Sequence, residues 1–275
     1  MKKTKLAKLF YVIPAFPLIV VLYAIYSPGL NGVFLLDDVG NLWPMDELSE
    51  GGSIADWIAF VFGGIGSLGR PLSLLTFAIQ YESWPHVASF KMVNYVLHII
   101  NFLLVSFLLF NTVRVIKPQF VSGGSRIFFV VSLGLAFLWA TAPIHTTTVQ
   151  YVIQRMTLLA AFWMLLGLNV WVVFLSRIES SKSPDWSLFC AVTLVLFCTA
   201  AGVLSKENAI ILPLLCVLYL LIYPQRLPIE TGKKSLMFSL LLSPVICLLF
   251  VMLMDFESTS YPSLAFEILT PMRDC

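Results

Sequence analysis

What this chain has least of is charge. Only 12% of its 275 residues are Asp, Glu, Lys or Arg, while 59% are hydrophobic and the mean hydropathy is +0.91. Soluble domains average roughly 25% charged residues. At half that share too little polar surface remains to cover a water-soluble globule, which excludes a soluble fold. The net charge of +2 carries no information about nucleic acid, and none is expected as a partner. Cysteine chemistry is missing too. Cys190, Cys198, Cys216, Cys247 and Cys275 show no CxxC spacing, and four of them lie inside apolar runs where cysteine acts as a small hydrophobe. There is no internal repeat and no low-complexity stretch.

What the chain has instead is long apolar runs. A spanning helix needs about 20 mostly apolar residues. Seven runs qualify: Leu9–Tyr26, Phe90–Val113, Ile127–Ala142, Met156–Ser176, Leu188–Leu204, Ala209–Tyr223 and Leu236–Met254. The fifth and sixth are short and separated by Ser205–Asn208, which predicts a tight hairpin. The first run follows the basic Met1–Lys8 and has no small-x-small cleavage site before Ser27-Pro28-Gly29, so it reads as a retained signal-anchor. The fold class is therefore all-α: a polytopic membrane protein of about seven transmembrane helices. Residues 1–254 form the membrane module, with residues 29–89 a large first extracytoplasmic loop carrying short amphipathic helices.

Lysine and arginine set the orientation. With the N-terminus inside, cytoplasmic segments hold Lys2, Lys3, Lys5, Lys8, Arg114, Lys117, Arg126, Arg177, Lys182, Arg226, Lys233 and Lys234, which is 12 of 17. The outer side holds Arg70, Lys91, Arg155, Lys206 and Arg273. The bias holds at every loop and predicts a cytoplasmic N-terminus and an extracytoplasmic C-terminus. Acidic residues divide the other way: Glu179, Asp185 and Glu230 are cytoplasmic, and the other 12 of 15 lie outside.

The outer side also gathers the unusual polar residues. Gly32–Asp38 leads two adjacent carboxylates, Asp37 and Asp38, to the membrane surface. Such a pair can bind a divalent cation, or one member can act as a general base, or both can simply cap a solvated turn. Ile54, Trp57, Ile58 and Val61 fall at i, i+3, i+4 and i+7, the spacing of a short interfacial helix. Gly69-Arg70-Pro71 predicts a helix start with proline at its first position. An arginine there, beside backbone N–H donors, suits a phosphate or carboxylate. In the second span Lys91, Asn94, His98 and Asn101 share one face, which should look into the bundle or a wet cavity. Between the third and fourth spans, Pro143 to Arg155 is rich in hydroxyls and amides. It carries His145, Gln150 and Gln154, with Arg155 adjoining. Amides and hydroxyls suit a sugar, and arginine suits phosphate. Ser205-Lys206-Glu207-Asn208 adds a cation and a carboxylate to the same side. Four of the five outer basic residues fall inside these elements, which scattered snorkelling would not produce. The pattern fits an anionic, lipid-linked, sugar-bearing ligand.

These stretches, in this order, resemble the membrane-embedded glycosyltransferases of the GT-C class. The likeness is greatest to the transmembrane and tetratricopeptide-repeat-containing O-mannosyltransferases and their bacterial relatives. It is carried by Gly32–Asp38, Gly69–Ser73 through Phe77, Asn94–Asn101, Pro143–His145 through Gln154–Ala160, and Leu204–Asn208 with Pro213. The resemblance implies an inverting enzyme that takes its sugar from a polyprenyl-phosphate donor and needs no cofactor, or at most a divalent cation at Asp37 and Asp38. It implies Asp37 or Asp38 as the base and Arg70, Arg155 and Lys206 at the donor phosphate. Lys91, Asn94, His98, His145, Gln150, Gln154 and Glu207 would line the pocket.

It also implies a multi-pass protein of a bacterial inner membrane, surrounded by membrane lipids. Members of the class continue with further spans and a helical repeat domain. Residues 255–275 read as the start of a further, truncated outer segment, so the chain reads as a truncated product, as one subunit of a split enzyme whose second subunit supplies the acceptor-binding half, or as a module that has lost catalysis. The competing reading is a non-catalytic membrane subunit that binds a polyprenyl lipid or pairs with another integral membrane protein. A transporter fits worse, because the inner halves of the spans hold almost no ionisable residues.

Overall fold

The computed structural model describes residues 14–64, 69–177, 184–222 and 237–246. The described residues form helices and turns, with no β-strand among them. The chain is an all-α polytopic membrane protein. The lysines at 2, 3, 5, 8, 182, 233 and 234, Arg226, Arg273, Glu179, Glu230, Cys247, Cys275 and the tail at 255–275 lie outside the described residues.

In chain order the helices are α1 (Ala15–Tyr26), the loop helices α2 (Leu36–Leu42), α3 (Met45–Ser49), α4 (Ile54–Phe62) and α5 (Pro71–Ala78), then α6 (Val87–Ile116), α7 (Pro118–Ala140), α8 (Ile144–Gln150), α9 (Arg155–Arg177), α10 (Pro184–Val203), α11 (Leu212–Ile222) and α12 (Met237–Ile246). Each of the seven apolar runs overlaps a helix among the described residues, the first and last over Ala15–Tyr26 and Met237–Ile246. Among the described residues, three stretches are long and apolar enough to cross a membrane unaided: Val87–Ile116, Val152–Ser176 and Asp185–Val203. A fourth arises if Ser125–Ala140 and Ile144–Gln150 are one span bent by 75°. The bend falls at Pro143. Proline has no N–H to continue the helix and pushes the preceding residue out of the α region. The expected outer element therefore begins with a sharp turn and a short helix.

Small residues let the central helices close on one another, the usual solution where lipid removes any hydrophobic drive between spans. Gly167 on α9 faces Leu212 and Cys198, and Gly202 on α10 faces Ala209 and Trp163. Around these contacts, Trp171, Phe174, Val195, Leu212, Cys216 and Leu241 form the core shared by α9 to α12. A second core, with Leu22, Tyr26, Phe102, Leu133 and Ala140, joins α1, α6, α7 and α8. A third lies outside the bundle proper. There Leu42, Met45, Phe60, Phe77 and Phe90 pack the loop helices onto Val152, Ile153 and Met156. The first outer segment is thus a folded cap with its own core, and it docks on the turn that leads into α9.

Within that cap, α4 is apolar on two sides. Trp57, Phe60 and Val61 face the core, whereas Ile54, Ile58 and Phe62 are exposed at 80%, 56% and 68%. The expected single face of Ile54, Trp57, Ile58 and Val61 is therefore divided between cap and surroundings. An outward apolar stripe at the end of a bundle fits a helix lying in the membrane interface.

A Cβ added at Gly202 would sit 2.6 Å from Ala209 Cβ and 3.3 Å from Trp163 Cβ, while one at Gly134 meets nothing within 4 Å. Gly202→Val is expected to cost about 1–3 kcal/mol by overpacking, seen as a lower melting temperature in detergent. Gly134→Val serves as the unaffected comparison. Equal melting of the two variants would contradict this packing.

Candidate functional site

The site is organised by one short segment, Tyr151–Thr157, made of the 3-10 turn Val152–Gln154 and the start of α9. Its first residues, Tyr151 and Ile153, bond the aspartates. Asp38 is fully buried at the third position of α2. Its Oδ2 accepts Leu35 N–H at 2.9 Å and its Oδ1 accepts Ile153 N–H at 2.7 Å. Burial raises the Asp38 carboxyl above the usual carboxylate range, against the opposing pull of the Leu35, Ile153 and Val152 N–H groups and the Lys91 charge. Asp37 is exposed instead, and its backbone N–H donates to Tyr151 Oη at 3.0 Å. The adjacent aspartates therefore differ in kind. Asp38 closes α2 and anchors it to the turn, and Asp37 is left open to a ligand.

Its last residues, Met156 and Thr157, meet the cations. Arg70 holds a left-handed backbone (φ 53°) directly before Pro71, an unusual conformation for a non-glycine residue. Its Nε meets both carboxylate oxygens of Glu207 at 3.2 Å, and Nη1 reaches Met156 Sδ at 3.7 Å. The pair is partly open, with the side chains 28% and 20% exposed. Lys206 Nζ donates to Thr157 Oγ1 at 2.8 Å, and that hydroxyl donates to Gln154 Oε1 at 2.6 Å. Burial, then the Arg70 charge, lowers the Lys206 ammonium below the usual lysine range, with Glu207 opposing. Arg70, Glu207, Lys206, Thr157 and Gln154 thus form one cluster carrying two cations and one carboxylate.

The backbone donors expected at the start of α5 are taken. Leu72 N–H bonds Leu204 O at 3.1 Å, Ser73 Oγ bonds Ser205 O at 2.9 Å, and Ser73 and Leu74 N–H return to Arg70 O. The positive end of α5 thus meets the negative end of α10 head to head. This corrects the expectation of a helix start open to an anion. The side chain of Arg70 remains as the anion-binding group.

Arg155 is also placed differently from the sequence expectation. It is fully buried. Nε donates to Asn94 Oδ1 at 3.2 Å, Nη1 to Thr76 O at 3.1 Å, and Nη2 to Gln80 Oε1 at 2.9 Å and Phe90 O at 3.1 Å. The guanidinium lies 4.1 Å from the Phe77 ring centre. With all three nitrogens engaged, it has no face for a donor phosphate.

The polar stripe of α6 turns inward, as the cost of intramembrane polarity requires, and each member meets a backbone carbonyl of another element. Lys91, Asn94, His98 and Asn101 are all buried. Lys91 Nζ donates to Gly29 O at 3.1 Å, and Asn94 Nδ2 to Tyr151 O and Val152 O at 3.0 and 3.2 Å. His98 Nε2 meets Ala140 O at 2.9 Å, and Asn101 Nδ2 donates to Leu158 O at 3.0 Å. The expectation of Lys91, Asn94 and His98 as pocket residues is corrected accordingly: they staple α6 to its neighbours. Gln150 does the same, its Nε2 donating to Tyr26 O at 2.6 Å. His145 is half-buried against Trp139 and His98, with ring centres 4.4 and 5.2 Å away. Only Gln154 and Glu207, of the expected pocket residues, join the cationic cluster.

Asp37 and Asp38 do not fit a divalent cation together. One is exposed, and both oxygens of the other accept backbone N–H groups. No group of three His, Cys, Asp or Glu residues that could hold a metal occurs among the described residues. Tyr151 and Thr157 were not singled out by sequence reasoning. Thr157 could have been found from its i, i+3 relation to Gln154 on the same face.

No family model matches this chain, and no solved structure matches it. Curated relatives do. It is 30% identical over 174 residues to Protein O-mannosyl-transferase Tmtc2 of Drosophila melanogaster, covering 62% of this chain and 16% of that protein. It is 34% identical over 148 residues to human Protein O-mannosyl-transferase TMTC4, covering 51% and 19%. It is 30% identical over 183 residues to human Protein O-mannosyl-transferase TMTC3, covering 62% and 18%. The chain resembles the protein O-mannosyl-transferases. It spans less than a fifth of the length of each of these relatives, at 16%, 19% and 18%.

Removing Arg155 would strand four acceptors in the core, whereas Arg70 is partly solvated. Arg155→Leu is expected to cost about 3–5 kcal/mol, read as a collapse of thermal stability in detergent, with Arg70→Leu close to wild type. A loss for Arg155→Leu no larger than for Arg70→Leu would contradict the structural role.

Proposed function

We propose that this chain carries the donor-side half of a glycosyltransferase working on the extracytoplasmic face of a bacterial inner membrane, with its N-terminus in the cytoplasm. The donor is a sugar on a polyprenyl phosphate, and the acceptor is a hydroxyl. Mannose, the sugar in the relatives' names, is the first to test. One observation carries this reading. Exposed Asp37, through its backbone N–H, and two cations (Arg70, Lys206), through their side chains, are bonded to residues of the same seven-residue segment, Tyr151–Thr157.

The chemistry follows from that placement of charge. Asp37 takes the proton of the acceptor hydroxyl as its oxygen attacks the anomeric carbon. The bond between that carbon and the phosphate oxygen breaks, and its electron pair stays on the phosphate. Arg70 and Lys206 neutralise the charge that develops there. Glu207 holds Arg70 in place, and Thr157 with Gln154 orients Lys206. Asp38 and Arg155 act as positioning residues: Asp38 fixes α2 beneath Asp37, and Arg155 fixes the segment itself. The acceptor-binding half would come from a second subunit or a further part of the protein.

The test is sugar transfer, or donor hydrolysis where no acceptor is added, by membranes carrying the chain and polyprenyl-phosphate mannose. Asp37→Asn is expected to lower the rate by about 10²–10⁴-fold with protein levels unchanged. Asp38→Asn is expected to lower accumulation of folded protein. Undiminished transfer by Asp37→Asn would remove it as the base. No transfer by the wild type with any partner half would leave the non-catalytic subunit.

A further inference from the structure

A feature unrelated to the candidate site lies at the other end of α6. A crevice of about 530 Å³ runs along α6 beside α7, lined by Leu103, Ser106, Phe107, Phe110, Arg114 and Phe129 among others. That volume falls within the range of roughly 300–1,000 Å³ typical of small-molecule sites. Its wall is almost wholly apolar, and the stripe Leu103, Phe107, Phe110 and Arg114 follows helical spacing down one face of α6. Leu103 and Phe107 are 38% and 45% exposed, so the crevice opens sideways from the bundle into the surroundings. Ser106, 1% exposed, supplies the small side chain at its floor.

The single charge in the lining is Arg114, in the last turn of α6. Its guanidinium carbon stands 5.4 Å from the Phe110 ring centre. The residue is exposed, and no acceptor among the described residues bonds its guanidinium. From Asn94 to Arg114 is 20 residues of continuous helix, or about 30 Å, so the mouth of the crevice lies in the leaflet opposite the candidate site. An apolar slot open to lipid and ended by an exposed arginine that bonds no acceptor among the described residues has the chemistry of an acyl chain joined to an anion.

We infer that this crevice is a binding site for an anionic phospholipid of the leaflet opposite the candidate site, with its phosphate on Arg114 and one acyl chain between Leu103, Phe107 and Phe129. The lipid would wedge the seam between α6 and α7 far from the chemistry. It is distinct from any donor held by Arg70 and Lys206.

The experiment is native mass spectrometry of the full chain released from bilayers of phosphatidylglycerol mixed with phosphatidylcholine. The wild type should retain phosphatidylglycerol over phosphatidylcholine by about fivefold, the worth of one well-placed cation at a membrane surface. Arg114→Gln should erase the preference, and Arg114→Lys should keep it. Ser106→Phe, which fills the floor and leaves the charge, should reduce retention of both lipids. A preference that survives Arg114→Gln would overturn the proposal. So would a preference lost in Arg70→Gln, which would place the lipid at the candidate site.

Discussion

Everything at the cap end of this protein depends on the burial of one guanidinium. Arg155 sits fully buried among Phe77, Phe90 and the cap core. A charge held there is tolerable only if every donor finds an acceptor. The acceptors come from different places: Thr76 O on α5, Gln80 just after it, and Asn94 and Phe90 on α6. Meeting that demand fixes α5, α6 and the start of α9 relative to one another. The cap is thereby bonded to the bundle by directional contacts as well as by apolar packing, which in lipid would specify little by itself.

The two chemical halves of the site inherit their positions from this arrangement. Fixing α5 fixes Arg70 at its start, and the head-to-head meeting of α5 with α10 through Leu72 and Leu204 brings Lys206 and Glu207 beside it. Fixing the turn before α9 presents Ile153 N–H to Asp38 and Tyr151 Oη to the backbone of Asp37. Most of the polar residues at the cap end therefore hold one another. The few left open, Asp37 and the partly exposed cluster around Arg70, are the ones free to meet a ligand. That division is the usual relation between a reacting group and the residues that position it.

Much of this was legible in the sequence. The apolar runs gave the helices, and the uneven scatter of polar residues identified the end of the bundle that matters. What could not be read was which polar residue serves the fold. Arg70 and Arg155 look alike as outer arginines beside helix starts, and only the acceptors around them, distant in sequence, tell them apart. Asp37 and Asp38 are separated by one step along a seven-residue helix whose N-cap is Leu35, a residue that gives no capping signal. The stripe of α6 was correctly expected to face inward. Its partners are backbone carbonyls of Gly29, Ala140, Tyr151 and Leu158, which no residue pattern reveals. The bend after α7 was marked by Pro143, while the pairing of the α5 start with Leu204 needed the tertiary fold.

The central claim is that Arg70 and Lys206 act on one phosphate, held together by the segment to which Asp37 and Asp38 are also bonded. A double-mutant cycle tests it most directly. The affinity of the purified full chain for polyprenyl phosphate would be measured for wild type, Arg70→Gln, Lys206→Gln and the double variant. Two cations on one phosphate should be coupled, each single change weakening binding and the pair departing from additivity by about 0.5–3 kcal/mol. Unchanged affinity in the double variant, or strictly additive losses, would contradict the account.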